Sequence, residues 1–124
     1  ELNLFPKAQY DLVKFLIKDW PKGKRLFLTT HSPYILSAFD NLISAGNIGK
    51  ENPSKTEKVI AKNYWLDYDN VNAYYFNPEP KRGKDNTENI MNPDRKGISG
   101  NVIDEVSDIL NIEYEKLQEI GSNG

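Results

Sequence analysis

The residues best suited to chemistry lie in one short segment, Thr29-Thr30-His31-Ser32-Pro33, which holds the single histidine of the 124-residue chain. An imidazole N–H donates a hydrogen bond to an anionic oxygen from a side chain less flexible than lysine. The same position also suits a structural role, because a loop histidine often bonds a nearby carbonyl. His31 is therefore the first candidate catalytic residue, and its position alone leaves both roles open.

Three elements are expected to position this segment. Apolar residues at helical spacing predict a helix over residues 6–20. The apolar, non-alternating run at 25–30 is typical of a strand buried on both faces of a parallel sheet. Ser32-Pro33 then supplies an N-cap hydroxyl and a proline at the first helical position. This order predicts an α/β fold, in which ligands bind beyond the carboxyl ends of the strands, where His31 lies.

Two segments carry a more specific pattern: Glu1-Leu2-Asn3-Leu4-Phe5-Pro6 followed by Gln9, and Thr29-Thr30-His31-Ser32-Pro33-Tyr34-Ile35-Leu36. Together they resemble the C-terminal part of the ABC-type ATPase head, a P-loop NTPase domain. The resemblance is strongest to bacterial AAA family ATP-binding proteins related to the SMC, RecF and OLD-type ATPases. In that family the Walker B strand ends in two acids, followed by Pro-Glu, an apolar-Asn-Leu-His-Pro stretch and a helix. A second strand then ends in Thr-Thr-His-Ser-Pro, and here residues 1–43 follow that order.

The resemblance implies roles for four residues. His31 would be the switch histidine of the H-loop, contacting the γ-phosphate and holding the attacking water in line, because phosphoryl transfer depends on positioning and charge stabilisation. Asn3 would lie in the D-loop, which crosses the dimer interface, and Ser32 would shape the H-loop. Glu1 would follow the Walker B proline, with the catalytic glutamate two residues before it and outside this chain. Phe5 departs from the pattern, since the family often has histidine there.

Other nucleotide-binding motifs of such a head are absent from the sequence. No Gly-x4-Gly-Lys-Ser/Thr occurs, so the chain lacks the backbone nest that cradles phosphates and the hydroxyl that binds Mg²⁺. No Ser-Gly-Gly signature loop occurs either. We therefore expect ATP and Mg²⁺ to be cofactors of a full-length parent ATPase, and this chain alone to bind no cofactor and to hydrolyse no ATP.

The resemblance also implies a larger protein and its partners. The single methionine is Met91, so Glu1 is not an initiator residue, and we expect the chain to be a C-terminal fragment of one ABC-type ATPase domain. The expected partners are the remainder of the head and a second head in a homodimer. Nucleic acid or a nuclease is a further expected partner.

Beyond the D-loop and H-loop core at 1–43, the sequence predicts a different organisation. A Gly-, Pro- and Ser-rich stretch predicts a loop, and alternating aromatic and β-branched residues predict strands. The predicted elements are a loop at 44–58, then a β-hairpin region and closing helices at 59–124, with strands at 71–76 and 87–91, a connection at 77–86 and a helix from Asn101. The predicted fold is thus a parallel strand flanked by helices, a small β-rich region and a C-terminal helix.

Composition excludes several classes of protein. Sixteen Lys and Arg against 18 Asp and Glu give a net charge of −2, which excludes a polycation built for nucleic acid. The absence of cysteine excludes disulfides and thiolate metal sites and fits a reducing compartment. No apolar run reaches the roughly 18 residues of a membrane span, and we expect no signal peptide, because no basic-then-apolar leader opens the given sequence. We therefore expect a cytoplasmic protein that has no membrane partner.

Three alternative interpretations stay open. One alternative is a metal-dependent nuclease site, whose candidate acidic residues are Asp67, Asp69, Glu88 and Asp94. Asp67 and Asp69 have the Asp-x-Asp spacing of such a site, but turn chemistry also explains this pair, and we predict no metal site. Aromatic residues at 64–76 with nearby lysines suit stacking on nucleic acid, although a half-buried antiparallel sheet has the same composition.

The third alternative is a stand-alone interaction module with an ATPase-derived scaffold and no nucleotide site. It differs from the ATPase fragment in one measurable property. A fragment of an ATPase head exposes an apolar sheet edge and self-associates, because its neighbouring strands are missing. A self-standing module is a well-behaved monomer.

Overall fold

The computed structural model describes residues 6–76, 83, 86–100 and 116–120. Within these ranges the chain is a mixed helix-and-sheet fold, as predicted, with two small antiparallel sheets of two strands each. The elements are α1 (Pro6–Ile17), α2 (Pro33–Gly49), α3 (Pro53–Val59), β1 (Tyr74–Phe76), β2 (Thr87–Asn89), β3 (Met91–Asn92) and β4 (Gly97–Ile98). Two 3₁₀ turns, Lys62–Tyr64 and Tyr68–Asn70, lie between α3 and β1.

Helix α1 begins with a proline, whose fixed φ and missing N–H suit the first helical turn. Its buried residues Gln9, Val13 and Ile17 recur at intervals of four and form one stripe along the helix. The helix ends at Ile17, before the predicted end at residue 20. The reason is that Asp19 has a φ of 53°, which is incompatible with a right-handed helix.

Helix α2 is the central element, because it contributes to two separate apolar clusters. The first cluster joins it to α1 and consists of Val13, Ile17, Ile35, Ala38 and Leu42. The second joins Ile43 of α2 to Ile90 and Ile98 of the sheet region. Phe39 and Leu66 pack against both clusters. The described core is therefore organised around one helix that is apolar on most of its surface.

The loop predicted at 44–58 is wrong, since α2 continues through the first part of this range and α3 occupies most of the second. The glycines that suggested a loop have a packing role instead. A Cβ on Gly46 would lie 2.0 Å from the carbonyl oxygen of Leu66, and one on Gly49 would lie 2.4 Å from the ring of Trp65. Glycine at these positions lets another part of the chain approach the helix backbone closely.

Polar side chains of α2 hold the β3–β4 hairpin in place. The Ile98 N–H donates a hydrogen bond of 2.8 Å to Asp40 Oδ1, and Arg95 Nη2 lies 3.2 Å from the same oxygen. Two helical turns further on, Asn47 Nδ2 donates to the carbonyl of Lys96 at 2.7 Å. Strands of two residues are too short to be stable alone, so these bonds and the packing of Ile98 fix the hairpin to the helix.

The small β-rich region is present, although its strands are shorter than predicted. Strands β1 and β2 pair antiparallel, with Tyr74 opposite Asn89 and Phe76 opposite Thr87. The predicted strand at 71–76 is thus reduced to its last three residues. The predicted connection at 77–86 lies outside the described residues except for positions 83 and 86.

The parallel strand predicted at 25–30 is not present in the described structure. This segment belongs to neither sheet, and all of its residues are exposed. Phe27 is 86% exposed, and its neighbours Leu26 and Leu28 are 40% and 46% exposed. A strand exists only beside another strand that completes its backbone hydrogen bonds, and none of the described strands pairs with this segment.

Residues 116–120 are helical and exposed, in agreement with a helix near the end of the sequence. The predicted start of that helix at Asn101 lies outside the described residues. Across the described ranges, no helix combines the length and the apolar character that crossing a bilayer requires.

A first prediction concerns the second apolar cluster. Ile43→Ala removes a side chain that is 0% exposed, and we expect it to lower the free energy of unfolding by about 2–5 kcal/mol. Ile48→Ala is the matched control on the same helix, where the isoleucine is 56% exposed and the expected change is within about 0.5 kcal/mol. Chemical denaturation followed by circular dichroism measures both. Equal losses for the two variants would contradict the central position of α2.

A second prediction concerns the close approach at Gly46. Alanine favours a helix over glycine by about 1 kcal/mol, yet Gly46→Ala should destabilise the protein because the new Cβ meets the backbone of Leu66. Gly100→Ala is the control, since nothing lies within 4 Å of a Cβ there. We expect a lower melting temperature for the first variant and an unchanged or higher one for the second. A stabilised Gly46→Ala variant would contradict the observed approach.

Candidate functional site

His31 lies between the exposed segment 25–30 and the first turn of α2. Its side chain is exposed, and the next residue but one, Pro33, is buried at the start of the helix. The N-terminus of a helix carries a partial positive charge, which favours an anion nearby. An exposed imidazole beside such a helix end is placed to donate a hydrogen bond to an anionic group.

The backbone on both sides of His31 is held by a local turn. The Ser32 N–H donates a hydrogen bond of 3.0 Å to the side-chain oxygen of Thr30. This is the turn that a serine or threonine hydroxyl forms with a backbone amide two residues on. The turn spans His31, so the direction in which its side chain leaves the backbone depends on Thr30.

A second hydrogen bond ties this turn to α1. The hydroxyl of Ser32 donates to the side-chain oxygen of Gln9, 23 positions earlier in the chain. Ser32 has the extended backbone of an N-cap residue, with φ −92° and ψ 122°, but its side chain makes no capping hydrogen bond. Its hydroxyl thus contributes to the contact between the two helices.

Gln9 is the site residue that sequence reasoning missed. It belongs to the sequence pattern of the first motif, but its hydrogen bond to Ser32 was not anticipated. The available signal was its place in the stripe with Val13 and Ile17, where an apolar residue is the usual choice. A glutamine that is only 5% exposed requires hydrogen-bond partners inside the protein.

The structure places the remaining predicted site residues as follows. Ser32 and His31 are adjacent and described, whereas Glu1 and Asn3 lie outside the described residues. Among the residues that the structure describes, no group of three or more acidic or histidine side chains could hold a metal ion.

The acidic pair considered for a nuclease site forms a turn. Asp67 Oδ1 accepts a hydrogen bond of 3.0 Å from the Asp69 N–H and caps the second 3₁₀ turn. Lys50 Nζ lies 3.9 Å from the other carboxylate oxygen of Asp67. Turn chemistry therefore accounts for the Asp-x-Asp spacing, which was the other explanation given for this pair in the sequence.

Two of the aromatic residues considered for nucleic-acid binding pack within the chain. Lys14 Nζ lies 5.2 Å from the ring centroid of Tyr64 and 4.7 Å from that of Tyr10, which are cation–π distances. Trp65 donates from Nε1 to the carbonyl of Ile60 at 2.7 Å and covers Gly49 with its ring. These contacts are of the kind expected from a half-buried packing surface.

A shallow groove of about 440 Å³ lies beside α2, and its lining includes none of the residues of the turn around His31. Its lining includes Lys50, Lys62, Trp65 and Asp67. The Lys50–Asp67 contact offsets two of the three charges of this lining, which leaves Lys62 as its one remaining charged side chain. The turn around His31 is therefore the stronger candidate site.

Comparison with known proteins identifies no relative: no family model matches the chain, and no curated protein or solved structure is detectably similar. The likeness to ABC-type ATPases thus rests on the motifs quoted above. What the chain does must be inferred from those motifs and from the geometry around His31.

Proposed function

We propose that this chain is the D-loop and H-loop portion of a larger ABC-type protein that binds and hydrolyses ATP. In this proposal the larger protein works on nucleic acid or with a partner effector. Two motifs in the family's order support it, together with one structural observation. That observation is the exposure of the apolar run at 26–28, which Thr29 and Thr30 connect to His31.

The exposed run supports the proposal that the neighbouring strands of its sheet belong to the rest of the larger protein, and the reason is energetic. Burying a leucine or phenylalanine side chain contributes about 1.5–3 kcal/mol, so leaving Phe27 in water and Leu26 and Leu28 nearly half exposed forgoes part of the stabilisation available. Strands of a parallel sheet are apolar on both faces because helices and other strands cover them. The run has that composition, and the remainder of an ATPase head would supply the cover.

His31 has a defined task in this proposal. At the end of a completed strand, its imidazole contacts the γ-phosphate of ATP and helps to hold the attacking water in line. The parent's P-loop binds the phosphates and Mg²⁺, and the parent's Walker B glutamate activates the water. The described geometry supports this role because the turn from Thr30 to Ser32 fixes the backbone while the side chain stays exposed.

The same observation bears on the alternative of a stand-alone interaction module. A monomeric module would expose this apolar run permanently, which promotes aggregation. A segment of a larger head is covered as soon as the head assembles. The exposed run therefore favours the ATPase fragment over the module. The proposal also includes the rest of the head and a second head as partners, and a cytoplasmic location.

The third prediction tests the exposed run in this chain by itself. We expect the chain to self-associate in sedimentation velocity, and Phe27→Lys to shift it toward monomer, because a charge in the run opposes pairing. Phe76→Lys is the matched control, since Phe76 is also exposed, at 70%, but lies on β1. We expect it to leave self-association unchanged. A monomeric wild-type chain would favour the interaction module.

The fourth prediction tests His31 in the protein expressed from the whole reading frame. His31→Ala should lower the turnover of ATP by about 100-fold, the scale on which loss of one transition-state contact acts. The fold should be preserved, because the side chain is exposed. Lys55→Ala, at an exposed position on α3, serves as the control and should keep its turnover. Unchanged turnover in the His31 variant would end the ATPase proposal.

A further inference from the structure

The structure assigns a second residue to this site: Gln9 is a positioning residue that holds the backbone of His31 through Ser32. This inference rests on the proposed function, because it gives Gln9 a part in the same hydrolysis reaction. It concerns a residue of the helix that follows the D-loop segment. No contact of Gln9 with substrate is implied.

The burial of Gln9 is the first step. Its side chain is 5% exposed and lies in the stripe with which α1 packs against α2. An amide in such a place costs about 1–3 kcal/mol unless its polar atoms are hydrogen-bonded, so a leucine would suit packing alone better. A glutamine there fits a position where a specific polar contact is required.

The contact itself is the second step. The side-chain oxygen of Gln9 accepts from the Ser32 hydroxyl, and the Ser32 N–H is held at 3.0 Å by Thr30. The residues immediately before and after His31 thus both have a fixed hydrogen-bond partner. One of those partners is local, whereas the other comes from a different helix.

The consequence for catalysis is the third step. A side chain that must reach a phosphate oxygen works only if its backbone is held in place, since an error of about 1 Å costs up to 100-fold in rate. The Thr30 turn sets the local conformation but does not fix it relative to the rest of the protein. The bond to Gln9 fixes the turn relative to the rest of the protein, because α1 is packed into the apolar core through Val13 and Ile17.

The test uses the protein from the whole reading frame and separates kcat from KM for ATP. Gln9→Leu fills the same stripe position without the acceptor oxygen, and we expect kcat to fall about tenfold with KM changed less than about twofold. Nucleotide affinity is retained because the parent's P-loop supplies it. Ser32→Ala removes the donor and should give the same loss of kcat, and it covers the case in which Gln9→Leu fails to fold.

Two further variants distinguish positioning from a general loss of stability. Ser32→Thr keeps a hydroxyl donor and should recover most of the kcat that Ser32→Ala loses. The double variant Gln9→Leu with Ser32→Ala should be no slower than the slower single variant, because both changes break the same hydrogen bond, the one between Ser32 and Gln9. Multiplicative losses in the double variant would overturn the inference.

Thr56→Val is the matched control for stability. Thr56 is 9% exposed and donates from its hydroxyl to the carbonyl of Asn52, the N-cap residue of α3, at 2.7 Å. It should lower the melting temperature without changing kcat. If it lowers kcat as much as Gln9→Leu does, the effect is a general one and the positioning role is wrong.

His31→Ala, measured in parallel, separates the two proposals. A loss of kcat in that variant with normal kcat in Gln9→Leu overturns the role of Gln9 and leaves the proposed function standing. Normal turnover in His31→Ala overturns both, because no reaction then depends on the histidine that Gln9 positions.

Discussion

The described structure depends on the close approach between the backbone of α2 and Leu66. The Leu66 N–H donates to the carbonyl of Leu42 at 3.1 Å, and the absence of a side chain at Gly46 makes room for it. The side chain of Leu66 then packs against both apolar clusters, which lets α1 and the β3–β4 hairpin share one helix as their support. This contact thus fixes the middle of α2 against the segment that carries Leu66.

Local signals in the sequence predicted the starts of α1 and α2 better than their ends, whereas α3 was not predicted at all. Prolines at the first positions of α1 and α2 marked both beginnings, because a missing N–H is tolerated only there. The end of α2 was missed because glycine commonly indicates a loop, while at Gly46 it serves a contact with a distant residue. The run at 25–30 has the composition of a buried strand, but whether it becomes one depends on neighbours that a local pattern does not contain.

The candidate site shows the same division between local and distant information. His31 was found from its residue type and its place before a helix start, and both are properties of a few adjacent residues. The bond between Ser32 and Gln9 joins positions that are far apart in the chain, so only the packing of α1 on α2 revealed it. The glutamine in an otherwise apolar stripe indicates that a buried hydrogen bond exists, but the sequence does not indicate which residue is its partner.

Asp40 has a consequence for how this protein unfolds. Its carboxylate accepts the Ile98 N–H and contacts Arg95, so a helix side chain provides a bond that a third strand would otherwise provide. A ladder of two residue pairs has almost no cooperativity of its own, and the second cluster attaches its Ile98 to Ile43 of α2. We therefore expect hairpin and helix to open together, so that the amide of Ile98 is protected from exchange with solvent while α2 stays folded.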